Sequence, residues 1–81
     1  MSASASDTVS KVLTETVLTV TQARDIISQA TGRRPDKATI HRWIKRGVGG
    51  TRLEAIRVGS STLTSAEAIT RFITARTAAL Q

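Results

Sequence analysis

The chain has 81 residues, no cysteine and a net charge of +6. That length allows one small domain with a small core, and without cysteine neither a disulfide nor a thiolate metal site can support it. No apolar run approaches the roughly 20 residues that span a membrane, and Met1–Asp7 lacks a basic region followed by an apolar one, so no secretory signal is expected and the expected compartment is the cytoplasm.

The charge is local. Residues 33–57 hold Arg33, Arg34, Lys37, Arg42, Lys45, Arg46, Arg52 and Arg57 against Asp36 and Glu54, a local excess of +6. The rest of the chain balances to zero. A concentrated excess of this kind points to a polyanion partner, where a solvated basic surface is the plainer alternative.

Taken in order, residues 1–15 are rich in Ser, Ala and Thr and have little to bury, so a disordered tail is expected. Glu15–Val20 is dominated by β-branched residues and reads as a short extended segment. Thr21 reads as the N-cap of a first helix. Ala23, Ile26, Ile27 and Ala30 form its apolar stripe, and Gly32 ends it. A second helix runs from Asp36 to Arg46. Asp36 can cap it, Pro35 suits its start and Gly47 its end. Ile40, Trp43 and Ile44 form one stripe of this helix, while Lys37, His41, Arg42, Lys45 and Arg46 form the other face.

Gly47-Val48-Gly49-Gly50 is a loop signal. Leu53–Val58, the turn Gly59-Ser60-Ser61 and a return strand at Thr62-Leu63 read as a β-hairpin that must pack on the helices. Thr64-Ser65-Ala66-Glu67 has the spacing of a capping box, with Thr64 as the N-cap. A third helix then runs to about Leu80, with Ile69, Phe72, Ile73 and Leu80 toward the core. Arg71 and Arg76 are expected on its solvated face.

Two helices joined by a turn, the second of them basic, make a helix-turn-helix. The major groove of DNA is about 12 Å wide and admits a helix, and Arg and Lys meet the acceptors of its base edges. Residues early in the second helix reach bases, here Lys37, Ala38, His41 and Arg42. Lys45 and Arg46 lie nearer the end and suit phosphate.

Residues 36–44, Asp-Lys-Ala-Thr-Ile-His-Arg-Trp-Ile, resemble the second helix of excisionase and MerR-type winged helix domains. Residues 52–59 resemble their first wing strand, and residues 64–72 their Thr-Ser-x-Glu-Ala helix start. The resemblance spans about residues 18–75 and extends to small uncharacterised excisionase-like domains. It implies a winged helix with helix two in the major groove and the wing over an adjacent minor groove or backbone. Carried onto this chain, it points to Lys37, Thr39, His41, Arg42 and Lys45 in the helix, and to Arg57, Ser60 and Ser61 in the wing. The turn departs from the family's pattern, because Arg33, Arg34 and Pro35 separate Gly32 from Asp36. The wing tip carries no Arg or Lys, so its groove contact is expected to be weak.

Other roles are poorly served. Trp43 lies on the core stripe, and Phe72 is the only other aromatic, too few for a single-strand stacking platform. His41, the lone histidine, reads as an exposed polar residue or a DNA contact, not as a metal ligand. Arg33 and Arg34 read equally as a solvated loop or as phosphate contacts. Arg52 reads as structural, closing the loop on Glu54 or the backbone. No phosphate-binding loop or catalytic constellation is present.

The expected fold is therefore α+β, mostly α: a winged helix-turn-helix over residues 16–81, with three helices and a short hairpin wing. The expected function is double-stranded DNA binding, as a transcription regulator or an excisionase-like recombination factor. The expected contacts are Arg33, Arg34, Lys37, Thr39, His41, Arg42, Lys45, Arg46, Arg57, Ser60 and Ser61. No catalytic residue, metal, cofactor, small-molecule substrate or membrane is expected. Specific binding by so small a domain calls for a homodimer or cooperative neighbours on the DNA. The alternatives are a protein-interaction adaptor on the same fold with no direct DNA binding, or charge-driven binding to RNA or anionic membrane.

Overall fold

The computed structural model describes residues 5–80. In order the elements are α1 Ala5–Leu13, β1 Val17–Thr19, α2 Val20–Thr31, α3 Lys37–Lys45, β2 Ile56–Val58, β3 Ser61–Ser65 and α4 Ala66–Ala79. The strands form one antiparallel sheet in the order β1-β3-β2. The fold is α+β, with four helices where three are expected from sequence.

The additional helix is α1. Residues 1–4 of the expected tail lie outside the described residues, but Ala5–Leu13 is helical. Asp7 in its first turn and Lys11 in its last suit the helix dipole. Val12 is fully buried, α1 lies against β2, and Lys11 Nζ pairs with Glu54 at 3.2 Å. Val9, Val12 and Leu13 have helical spacing, but Val9 and Leu13 stay exposed. Val9, Val12 and Leu13 give α1 an amphipathic pattern, which the Ser- and Thr-rich composition of residues 1–15 obscures.

β1 supplies more than an extended lead-in. Val17, Leu18 and Thr19 pair with Ser65, Thr64 and Leu63 of β3. Thr19, not Thr21, caps α2. Its hydroxyl accepts from Gln22 N–H at 3.1 Å, and the Gln22 side chain accepts from Thr19 N–H at 2.9 Å. This is a complete capping box two residues earlier than expected. Gly32 ends α2 at φ 76°, a left-handed conformation that glycine adopts without a Cβ penalty.

The start of α4 is displaced the other way. Thr64 is still paired in the ladder opposite Leu18, so the cap falls on Ser65, whose hydroxyl accepts from Ala68 N–H at 2.9 Å. Thr64 instead donates to the Glu54 carbonyl at 2.7 Å. Glu67 does not reach back to Thr64. Its carboxylate accepts the Thr16 N–H at 2.9 Å and the Thr16 hydroxyl at 3.1 Å. These bonds hold the Glu67 carboxyl below the usual glutamate range, the Thr16 N–H most strongly.

The main core cluster is Leu18, Val20, Ala23, Ile27, Ile40, Leu53, Ala68, Ile69 and Phe72, with Val12 and Ile56 buried outside it. Ile26, Trp43 and Ile44 pack against it as half-buried flanks. Each large apolar side chain buried in this way contributes about 1.5–3 kcal/mol. Ala30, Ile73 and Leu80 do not join it. Ala30 is exposed, Ile73 is 40 % exposed and Leu80 87 %. Residues 73–80 at the end of α4 are all exposed.

Arg71 is half-exposed, as expected, but its guanidinium is held by two carboxylates. Its Nη2 donates to Glu15 at 3.1 Å and its Nε to Glu54 at 2.7 Å. Ser65 Oγ donates to the same Glu15 at 2.7 Å. Arg71 above all, then Ser65, lowers the Glu15 pKa, and the two carboxylates raise that of Arg71. Glu54 thus pairs with Lys11 and Arg71, and it does not form the expected contact with Arg52. Arg76 lies 5.7 Å from the centre of the Phe72 ring, within cation–π range.

Candidate nucleic-acid interface

The connection between α2 and α3 is strapped down. Thr31 Oγ1 donates to the Ile27 carbonyl at 2.7 Å, and Arg33 N–H donates back to Thr31 Oγ1 at 3.2 Å. Arg24 Nε donates to the Pro35 carbonyl at 2.7 Å. Arg34 pairs with Asp25 of α2 at 2.9 Å. The longer turn is therefore held to α2 by side chains on both flanks.

α3 follows with Asp36 at its N-cap, although the Asp36 side chain makes no capping bond. Ile40 is buried completely. Trp43 stacks at a tilt on Phe72, with ring centres 5.0 Å apart, and its carbonyl accepts Leu53 N–H at 3.0 Å. One face of α3 is thereby fixed to the core and to the segment entering the β2–β3 hairpin. The opposite face leaves Lys37, Arg42, Lys45 and Arg46 exposed, with Thr39 and His41 half-buried. Arg42 Nη2 donates weakly to Thr39 Oγ1 at 3.4 Å.

β2 and β3 form the hairpin beside this face. Arg57 pairs with Thr62 and Val58 with Ser61, and Gly59 turns the chain at φ 61°. Leu53, Glu54 and Ala55 stay outside the strand, because Leu53 is drawn into the core and the Glu54 carbonyl is taken by Thr64.

Two clefts separate α3 from the hairpin. The first, about 230 Å³, is lined by Lys37 and His41 of α3, Ser60, Ser61 and Thr62 of the hairpin, and Thr19, Val20 and Thr21. The second, about 190 Å³, lies between His41, Ile44 and Lys45 on one side and Ala55, Ile56, Arg57 and Thr62 on the other. Among the described residues, no carboxylate lines either cleft.

Of the expected contacts, Lys37, His41, Ser60 and Ser61 meet at the first cleft, and His41, Lys45 and Arg57 at the second. Arg33, Arg34, Arg42 and Arg46 line neither. Arg33, Arg42 and Arg46 are exposed beside the clefts in sequence, and Arg34 has its charge matched by Asp25. Thr39 is half-buried and accepts from Arg42. The hydroxyls of Thr19, Thr21 and Thr62 were not expected here. The Thr19–Gln22 box is the sequence signal for the first of them, since it fixes where α2 begins. Among the described residues, no group of three or more His, Cys, Asp or Glu could hold a metal ion, and no helix is long and apolar enough to cross a membrane.

Residues 23–77 match the family described as a protein of unknown function, DUF1580. The chain belongs to that family. No curated protein and no solved structure matches the chain. The DUF1580 segment takes in most of α2, all of α3 and the hairpin, and nearly all of α4. It therefore contains every expected contact residue, while α1, β1 and the Thr19 and Thr21 wall of the first cleft precede it.

Proposed function

We propose that this DUF1580 chain is a winged helix-turn-helix protein that binds double-stranded DNA. α3 enters the major groove, and the β2–β3 hairpin lies against the adjacent backbone or minor groove. Its role is that of a transcription regulator or an excisionase-like recombination factor, in keeping with the resemblance to excisionase and MerR-type domains. The observation that carries the reading is the convergence of Lys37, His41, Lys45 and Arg57 on two clefts with no carboxylate in their walls. Cations without local counter-charge attract phosphate and gain from counterion release. Arg42, exposed and steadied by Thr39, is the base-reading candidate, and a good bidentate contact to guanine is worth about 1–3 kcal/mol.

An NMR titration of the labelled protein with a mixed-sequence duplex, at low and raised salt, tests the proposal. Shifts concentrated at residues 33–46 and 57–62 that fade with salt are the expected result. A folded protein without shifts at low salt overturns DNA binding. If binding is found, Arg42→Ala is expected to weaken a preferred site more than random duplex. Equal losses on both remove Arg42 from base reading.

A further inference from the structure

The two clefts share His41. It is half-buried and surrounded by groups of one sign. Lys37 and Lys45 stand one helical turn to either side of it on α3, as i,i+4 neighbours. Arg57 of β2 lines the second cleft with it. The other polar residues lining the first cleft are Thr19 and Thr21 at the start of α2, and Ser60, Ser61 and Thr62 of the hairpin. Asp36, the nearest acid in sequence, lines neither cleft.

Histidine is the side chain whose charge ordinarily changes between pH 5 and 8. A phosphate seated in the cleft favours the charged ring, because it offers the imidazolium an acceptor. We propose that His41 meets the DNA backbone as the imidazolium, so that association is linked to proton uptake, and that the cleft bounded by Lys37, His41, Ser60 and Ser61 seats the backbone phosphate that holds it. The proposal rests on the DNA-binding reading and adds a proton linkage to it.

The linkage is measured by fluorescence anisotropy of a labelled duplex at fixed ionic strength, between about pH 6 and about pH 8. Wild-type affinity is expected to rise several-fold toward the acid end. His41→Gln is expected to bind more weakly with no pH slope, and His41→Lys to bind with no slope at the acid-side level of wild type. Unchanged thermal unfolding of both variants excludes a folding defect. A scan of single methylphosphonate substitutions, each removing one backbone charge, is expected to find one position that abolishes the wild-type slope.

Wild-type binding without a slope, or a slope retained in His41→Gln, overturns the proton linkage and leaves DNA binding intact. No binding at any pH overturns DNA binding and the linkage with it. Inorganic phosphate alone distinguishes the source of the anion. If it moves the His41 ring signals as far as the duplex does, the seat belongs to free phosphate and not to the backbone.

Discussion

Arg71 and Glu15 are 56 residues apart in sequence, and Arg71 Nη2 donates to the Glu15 carboxylate at 3.1 Å. The same guanidinium reaches Glu54, so one side chain of α4 joins the α1–β1 connection to the segment that enters the β2–β3 hairpin. Arg71→Ala leaves two carboxylates facing a vacated site. It is expected to lower the thermal midpoint, and to increase amide exchange in α1 and residues 14–16 before α3. Arg71→Lys keeps the charge without the fork and should fall between Ala and wild type. Equal exchange across α1 and α3 in Arg71→Ala would show that the clamp does not act locally.

Acid should weaken the same region. Glu15 and Glu67 both have folded-state pKa values below the ordinary glutamate value. A carboxylate of this kind contributes stability that is complete above its unfolded-state pKa and is lost as pH falls through the folded one. Thermal midpoints measured by circular dichroism are expected to hold steady near neutral pH and to decline from about pH 4.5 downward. Glu15→Gln should start from a lower midpoint and lose less of it on acidification. A midpoint that declines between pH 8 and pH 6 instead would point to another group.

Gly32 and Gly47 both have positive φ, at 76° and 73°, but their surroundings differ. A Cβ on Gly32 would meet open space, whereas one on Gly47 would lie 2.1 Å from the Thr51 carbonyl oxygen and 2.8 Å from Arg52 Cγ. Gly32→Ala is expected to cost about 1–2 kcal/mol for the left-handed backbone alone. Gly47→Ala must also displace the Val48–Thr51 turn, and its cost in urea unfolding should clearly exceed that of Gly32→Ala. Equal costs would mean that the turn shifts freely.

The arginines of the α2–α3 turn are expected to separate. Asp25 offsets Arg34, while Arg33 is exposed. Under the DNA-binding proposal, Arg33→Ala should reduce the salt dependence of duplex affinity by about one phosphate contact. Arg34→Ala should change it little. The reverse order in salt titrations would show that Arg34 leaves Asp25 for DNA.

How much of this fold could be read in advance varied with the kind of signal. α3 was legible because Ile40, Trp43 and Ile44 sit at helical spacing and glycines bracket the segment. The hairpin was legible from Gly59-Ser60-Ser61. Both caps flanking the sheet fall elsewhere than local pattern suggests, at Thr19 and not Thr21 and at Ser65 and not Thr64, because strand pairing decides where each helix can begin. α1 and the Arg71 cluster were hidden for a related reason. Val12 is buried only where β2 is present, and Glu15 meets Arg71 only once β1 has paired with β3. Within the candidate interface, sequence supplied the cations and the structure showed which of them share a cleft. The pairing of Arg34 with Asp25 brings together the turn and the outer side of α2, a proximity that no local pattern in the chain encodes.

The central position of β3 also governs the order of assembly. β1 leaves the ribosome early, but its partners, residues 63–65, follow more than 40 positions later. Contacts of such sequence separation close slowly. Until β3 emerges, Leu18 has no sheet to join, and the capping box of α2 must hold the nascent helix on local bonds alone. A polypeptide begun at Ala23, where the family match starts, would lack β1 altogether. It would leave one edge of β3 unpaired, a row of open backbone groups of the kind that recruits strands from other chains.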